Sequence, residues 1–166
     1  MDKISEHISY QEATRSEAAQ REGITNHPND KELDNIVMWA EKIYEPLRAH
    51  VSQIRKKDTP LVINSIFRSL EVNKLIKGSA TSSHCCGAKS GIEECAGDIE
   101  AHYADFTNKD LFILIKEKGA FDQLIWEFGD DNQPAWVHVG YRKHNNRMQV
   151  LRAIKENGVT KYIPFA

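Results

Sequence analysis

The sequence predicts an α+β fold: a mostly antiparallel sheet with helices packed on one face. Three observations predict it. Helical spacing of apolar residues dominates 29–54, short β-branched and aromatic runs dominate after 120, and two polar turns separate those runs in pairs. The 166 residues suit one domain, 1–166, and should hide roughly 70% of the unfolded surface. Within it we expect a helical segment over 1–57, a core over 60–153 that holds the chemistry, and a C-terminal hairpin over 148–165.

Residues 1–23 read as a short helical lead-in, with a capping-box pattern at Ser9 and Glu12 and a stop at Gly23. Asn29 and Glu32 cap a long helix whose stripe runs Leu33, Ile36, Val37, Ala40, Ile43, Tyr44, Leu47, Val51 and Ile54. Pro46 removes a backbone donor inside it and predicts a kink near the preceding turn. Pro60–Phe67 reads as a strand, and Ser69 caps a short helix ending at Gly78. Residues 79–97, rich in Ser, Gly, Cys and Ala, read as a loop, and Asp98–His102 as a strand. Thr107 caps a helix to Lys118, with Gly119 past its end. Phe121–Phe128 with Ala135–Tyr141, and Met148–Lys155 with Thr160–Phe165, read as two hairpins, giving four antiparallel strands.

Lys+Arg is 22 and Asp+Glu is 24, a net charge of −2, which argues against a nucleic-acid surface. No apolar run approaches the ~18 residues of a membrane span, and the N-terminus is too polar for a signal core. The expectation is a monomer made in the cytosol without a signal peptide. Cys85, Cys86 and Cys95 fall in one stretch and make no disulfide framework. Reduced thiols are the expected state. The alternatives are a Cys86–Cys95 disulfide and a cysteine zinc site drawing on His84 or His102.

Two of the seven histidines stand out. His84 sits in a small-residue loop, and His138 in the middle of the apolar strand Trp136–Tyr141, where a polar ring must be partnered or must line a site. Asp98, after Ala96-Gly97, is a carboxylate with the same need. Two imidazoles and one carboxylate are the ligand set of an open catalytic zinc site. His102 shares strand parity with Asp98 and is the reserve ligand.

Ser65-Ile-Phe-Arg68-Ser69, Asn73, Gly78-Ser79, Ser82-x-His84-x-x-Gly87, Ala96-x-Asp98-Ile99 and Trp136-x-His138 follow in order. So do Ile8-Ser9-Tyr10, Gly23-Ile24-x-Asn26-x-Pro28 and Glu45-Pro46-Leu47-Arg48. This ordered set resembles the zinc D-Ala-D-Ala carboxypeptidase-like peptidases, which share a fold with the Hedgehog signalling domain, and within them the small branch common in bacteriophage genomes. The resemblance covers residues 8–153. It implies zinc ligands at His84, Asp98 and His138, a substrate-contacting arginine at Arg68, and a site serine at Ser82 that binds substrate or orders the loop. Arg68 would stabilise the oxyanion or pair with a substrate carboxylate. The chain departs from the family twice. Ala88–Cys95 looks like an insertion between the first two ligands, tolerable because loops lengthen at small entropic cost. The acidic residue that many relatives carry before the last histidine is replaced by Ala135.

The hairpin offers another carboxylate. If the turn centres on Asp130–Gln133, Glu127 pairs with Trp136 and shares a face with His138. A slip of one residue would turn it away. Glu127 is therefore the expected general base, with Asp130 or Asp131 next in line. The expected function is a zinc peptidase that cleaves an amide of bacterial peptidoglycan stem peptides, a phage-type cell-wall hydrolase released by lysis or carried on the virion. The alternative, fed by Ala135, is a non-catalytic zinc-bearing binding or structural virion module.

Overall fold

The computed structural model describes residues 1–166. The lead-in forms two helices, α1 (Tyr10–Thr14) and α2 (Glu17–Glu22), because Ser16 accepts from the Ala19 N–H and restarts the helix. Gly23 ends α2 in the left-handed region, where a Cβ would be strained. The Asn29/Glu32 capping box opens α3 (Asp30–Trp39). Where Pro46 predicts a kink, the helix widens to a π-helical turn over Ala40–Tyr44 before continuing as α4 (Glu45–Arg55). A proline ring displaces the carbonyl four residues back. The wider turn absorbs that displacement with the Glu45 N–H reaching Ala40 O.

The remaining elements are β1 (Val62–Ser65), α5 (Leu70–Leu75), a 3₁₀ turn at Ser83–Cys85, β2 (Glu94–Glu100), α6 (Asn108–Lys118), β3 (Gln123–Glu127), β4 (Trp136–Arg142), β5 (Gln149–Glu156) and β6 (Val159–Pro164). They build one six-stranded sheet in the order β1-β2-β4-β3-β5-β6. The architecture is the α+β one the sequence predicts, with two corrections. The second strand begins at Glu94, inside the expected loop, and stops at Glu100. The last four strands are not all antiparallel: β5 pairs parallel to β3. The far edge of β4 is already taken by β2, so the chain passes the start of β3 and adds β5 on its open side.

Alternation then divides the sheet. Ile99, Leu124, Trp126, Val137 and Val139 face the helices and join Ile36, Trp39, Leu111 and Phe112 in the buried core. Each large apolar side chain so buried contributes about 1.5–3 kcal/mol. The residues between them, Asp98, Glu127 and His138, face the other way. No helix is long and apolar enough to cross a membrane.

Candidate metal centre

Trp39 fixes two site strands from behind. Its ring lies against Gly97, where an added Cβ would stand 2.3 Å from it, and its indole N–H donates to Val139 O at 2.9 Å. Gly97 and Val139 adjoin Asp98 and His138, which pair directly across the β2–β4 ladder. His84 arrives from the 3₁₀ turn and is tied to the segment after β1. Arg68 N–H donates to His84 O at 2.9 Å, and His84 Nδ1 donates to Ile66 O at 2.8 Å. Asn26, buried, bonds Phe67 O and accepts from the Ser69 N–H, holding the backbone on both sides of Arg68. Asn35 donates to Cys86 O at 2.9 Å and steadies the loop beyond His84.

Three atoms converge as a result. His84 Nε2 lies 3.2 Å from His138 Nδ1 and 3.3 Å from Asp98 Oδ1, and the last two are 3.0 Å apart. All three residues are buried. The His84 Nδ1 proton is committed to a carbonyl, so a neutral His84 presents a bare lone pair to a carboxylate and a second imidazole. Burial and the Arg68 charge hold His84 below the ordinary imidazole range, against the pull of Asp98, which keeps it neutral. Burial works against the Asp98 carboxylate, but the hydrogen bond from His138 Nδ1 holds it below the ordinary range, ionised. Acceptors thus outnumber protons in a dry place, and His138 Nε2 finds no partner either. Donor atoms of a tetrahedral zinc with bonds of about 2.0–2.1 Å stand roughly 3.3 Å apart, and this triangle fits that spacing.

Two charged groups flank it. Arg68 NH2 is 3.4 Å from Asp98 Oδ2. Glu127 pairs with Trp136 in the β3–β4 ladder, the register that puts it on the face of His138. Burial pushes the Glu127 carboxyl up to about 7, with the Asp98 charge adding to the rise against His138 and Arg68. A carboxyl poised there exchanges protons near neutral pH.

A family model described as Peptidase M15 matches residues 6–140. The chain belongs to the peptidase M15 family. It is therefore a metallopeptidase of a zinc-dependent family, and His84, Asp98 and His138 form a cluster in it that could hold the metal. No curated protein and no solved structure matches the chain significantly.

The other expected residues of this M15 peptidase fall at varied distances from the cluster. Ser82 precedes the 3₁₀ turn, and its hydroxyl makes no capping bond. His102 lies past the end of β2, exposed and paired with Glu100. Asp130 accepts from Asn132 and Gln133 N–H within its own turn, and Asp131 pairs with Arg152. Cys86 and Cys95 are joined as a disulfide, against the expected reduced state, because the turn over 88–93 folds back and brings their Cα atoms to 4.1 Å. Cys85 is free and buried. Ala135 donates its N–H to Glu127 O at 2.9 Å, so the position lacking its acid adjoins a glutamate on the neighbouring strand. Sequence reasoning missed Trp39 and Asn35, and gave Asn26 no role beyond its place in the ordered motifs. Gly97 beside Asp98 was the one local signal that something large lies against that strand.

Proposed function

We propose that this M15 peptidase hydrolyses an amide bond in bacterial peptidoglycan stem peptides, as a D-Ala-D-Ala carboxypeptidase or endopeptidase of the phage cell-wall hydrolase type. The observation that carries the reading is the buried His84–Asp98–His138 triangle with a protonatable carboxyl, Glu127, on the same sheet face. The ordered motifs shared with zinc D-Ala-D-Ala carboxypeptidase-like peptidases support the substrate class.

His84 Nε2, Asp98 and His138 Nδ1 would hold the zinc. When bound, zinc supplies Lewis acidity, polarising a carbonyl and acidifying water. Glu127 takes a proton from the attacking water and delivers it to the leaving amine nitrogen as the C–N bond breaks. The Arg68 guanidinium steadies negative charge on the carbonyl oxygen or pairs with a substrate carboxylate. The free Ser82 hydroxyl is available to a substrate polar group. Burial of the cluster strengthens each of these interactions. Glu127 also removes the objection raised by Ala135, since a base supplied from the next strand meets the same geometric need.

The test is digestion of purified peptidoglycan followed by mass spectrometry of the fragments, with metal content measured on the same protein. Either release of free D-Ala with a new carboxyl terminus on the stem, or a new amine and carboxyl pair within the stem or its cross-link, is expected. Intact stem peptides after incubation with zinc-loaded protein would refute the reading.

A further inference from the structure

The strand order makes a line of chemistry across the sheet. Arg68 follows β1, Asp98 is on β2, His138 on β4 and Glu127 on β3. The next two strands continue it: Glu127 pairs with Ala153, and Ala153 pairs with Tyr162. These three share the face of the metal centre, because residues paired across a ladder point the same way. Ala153 contributes only a methyl group and yet is fully buried, so its neighbours close over it. With strands about 4.8 Å apart, the side chains of Glu127 and Tyr162 stand on one face with only the Ala153 methyl between them, and both are long enough to span that gap.

We propose that Tyr162 is a substrate-contacting residue on the leaving-amine side of the cleft, its hydroxyl donating to a carbonyl or carboxylate oxygen of the departing residue. The inference rests on the peptidase reading above. Glu127 delivers the proton to the leaving nitrogen, so that part of the substrate lies on the Glu127 side of the metal centre, and Tyr162 is the next polar side chain along that row of paired residues. Arg68 stands on the opposite side of the cluster, beside Asp98. The phenol is half exposed, with room for a ligand, and burial together with the Glu127 and Asp98 charges raises its pKa, as expected of a ring that faces this site. The family match ends at Gly140 and leaves β5 and β6 outside it, so this wall belongs to a part of the chain the match does not reach.

Two measurements test the proposal. In metal-free protein, the Tyr162 ring resonance, assigned through Tyr162→Phe, is titrated with and without Glu127→Gln. The phenol pKa should fall when the Glu127 charge is removed, and an unchanged value overturns the juxtaposition. In zinc-loaded protein, Tyr162→Phe should raise KM for soluble stem peptides about 3- to 10-fold with kcat little changed, the loss of one hydrogen bond. Tyr162→Ala should raise KM further. If the wild type cleaves stem peptides and both variants match its kcat and KM, Tyr162 has no substrate role. If the wild type cleaves none, the peptidase reading falls and takes the substrate role with it, while the resonance titration still decides the geometry.

Discussion

Two buried aspartates show how burial for stability differs from burial for chemistry. Asp122 and Asp98 are both almost fully covered. Asp122 receives Arg147 through two guanidinium nitrogens at 3.1 and 2.7 Å and through its backbone N–H at 3.0 Å, with Arg142 Nε at 3.2 Å. Three hydrogen bonds and a second guanidinium charge surround it, all from groups that do not lose their protons near neutral pH. Asp98 faces two imidazoles instead, one with its only proton spent on Ile66 O. The first site is complete as it stands. The second leaves His84 Nε2 with no proton of its own beside a carboxylate that Arg68 and His138 only partly surround, an arrangement that could hold a metal, and a carboxyl with a pKa of about 7 stands beside it.

The sharpest way to break that contrast is to empty the second site. His138→Ala should lower metal content well below one ion per chain and abolish cleavage, as should Asp98→Ala. Elemental analysis beside a turnover assay reads both, and full metal occupancy in His138→Ala would remove the triangle from consideration. Asp122→Asn should leave metal content unchanged.

Next in size is Glu127→Gln, which keeps volume and removes the proton acceptor. Metal should stay and turnover should fall by ~10²-fold or more. Stability should move the other way. The folded pKa of about 7 lies above the ordinary 4.5, so the folded protein holds a proton the unfolded chain lacks between those values. Stability therefore falls as pH rises through that window. The penalty is fully present above it, on the order of 3 kcal/mol. Metal-free Glu127→Gln should thus melt higher than metal-free wild type at pH 8, with the gap closing by pH 4.5. Equal melting temperatures at both pH values would place the carboxyl in solvent.

Asp122→Asn sharpens the other half of the comparison. It should cost about 2–3 kcal/mol, less than a fully buried pair because Arg147 is partly exposed, with turnover intact below the melting temperature. The Arg147 contacts outweigh burial and lower the Asp122 pKa below 3.8, so its contribution is present above that value and lost as pH falls through the folded pKa. Acid denaturation curves of wild type and variant should converge at low pH.

How much of this was legible depended on how local the cause was. The capping boxes at Asn29 and Thr107, the Ser69 cap and the Gly119 stop are short-range hydrogen bonds, and the helices begin and end where those residues say. The approach of Glu127 to His138 could be read because strand alternation and the tight turn at Asp130–Gln133 fix a hairpin's register. The parallel β3–β5 pairing could not, since nothing in residues 143–148 states which edge of the sheet is free. The start of β2 was hidden for a similar reason. Ala96 and Gly97 are weak strand formers, and Gly97 is demanded by Trp39, far back in the chain. Trp39, Asn26 and Tyr162 acquire their roles only when distant segments meet.

The smallest expected effect on the metal centre comes from the segment between its first two ligands. Residues 88–93 are exposed, and Glu93 pairs with Lys143 at the surface, while His84 and Asp98 on either side are held by Ile66 O and by the Trp39-backed ladder. The ligands' anchors thus lie outside the insertion. Cys86 and Cys95 close its base, and neither sulfur belongs to the triangle. A Cys85/Cys86/Cys95→Ser variant should therefore keep its metal and most of its turnover, though it should unfold more readily with the loop no longer cross-linked. Replacing residues 88–93 with a short linker should likewise keep the metal, since loops of this kind shape access more than they hold structure. It should change the relative rates on different wall peptides, read by competition between stem-peptide fragments in one digest. Unchanged preference would make the insertion a surface ornament. Loss of metal on removing the thiols would move the ligand set to the cysteines and collapse the distinction between the two aspartates.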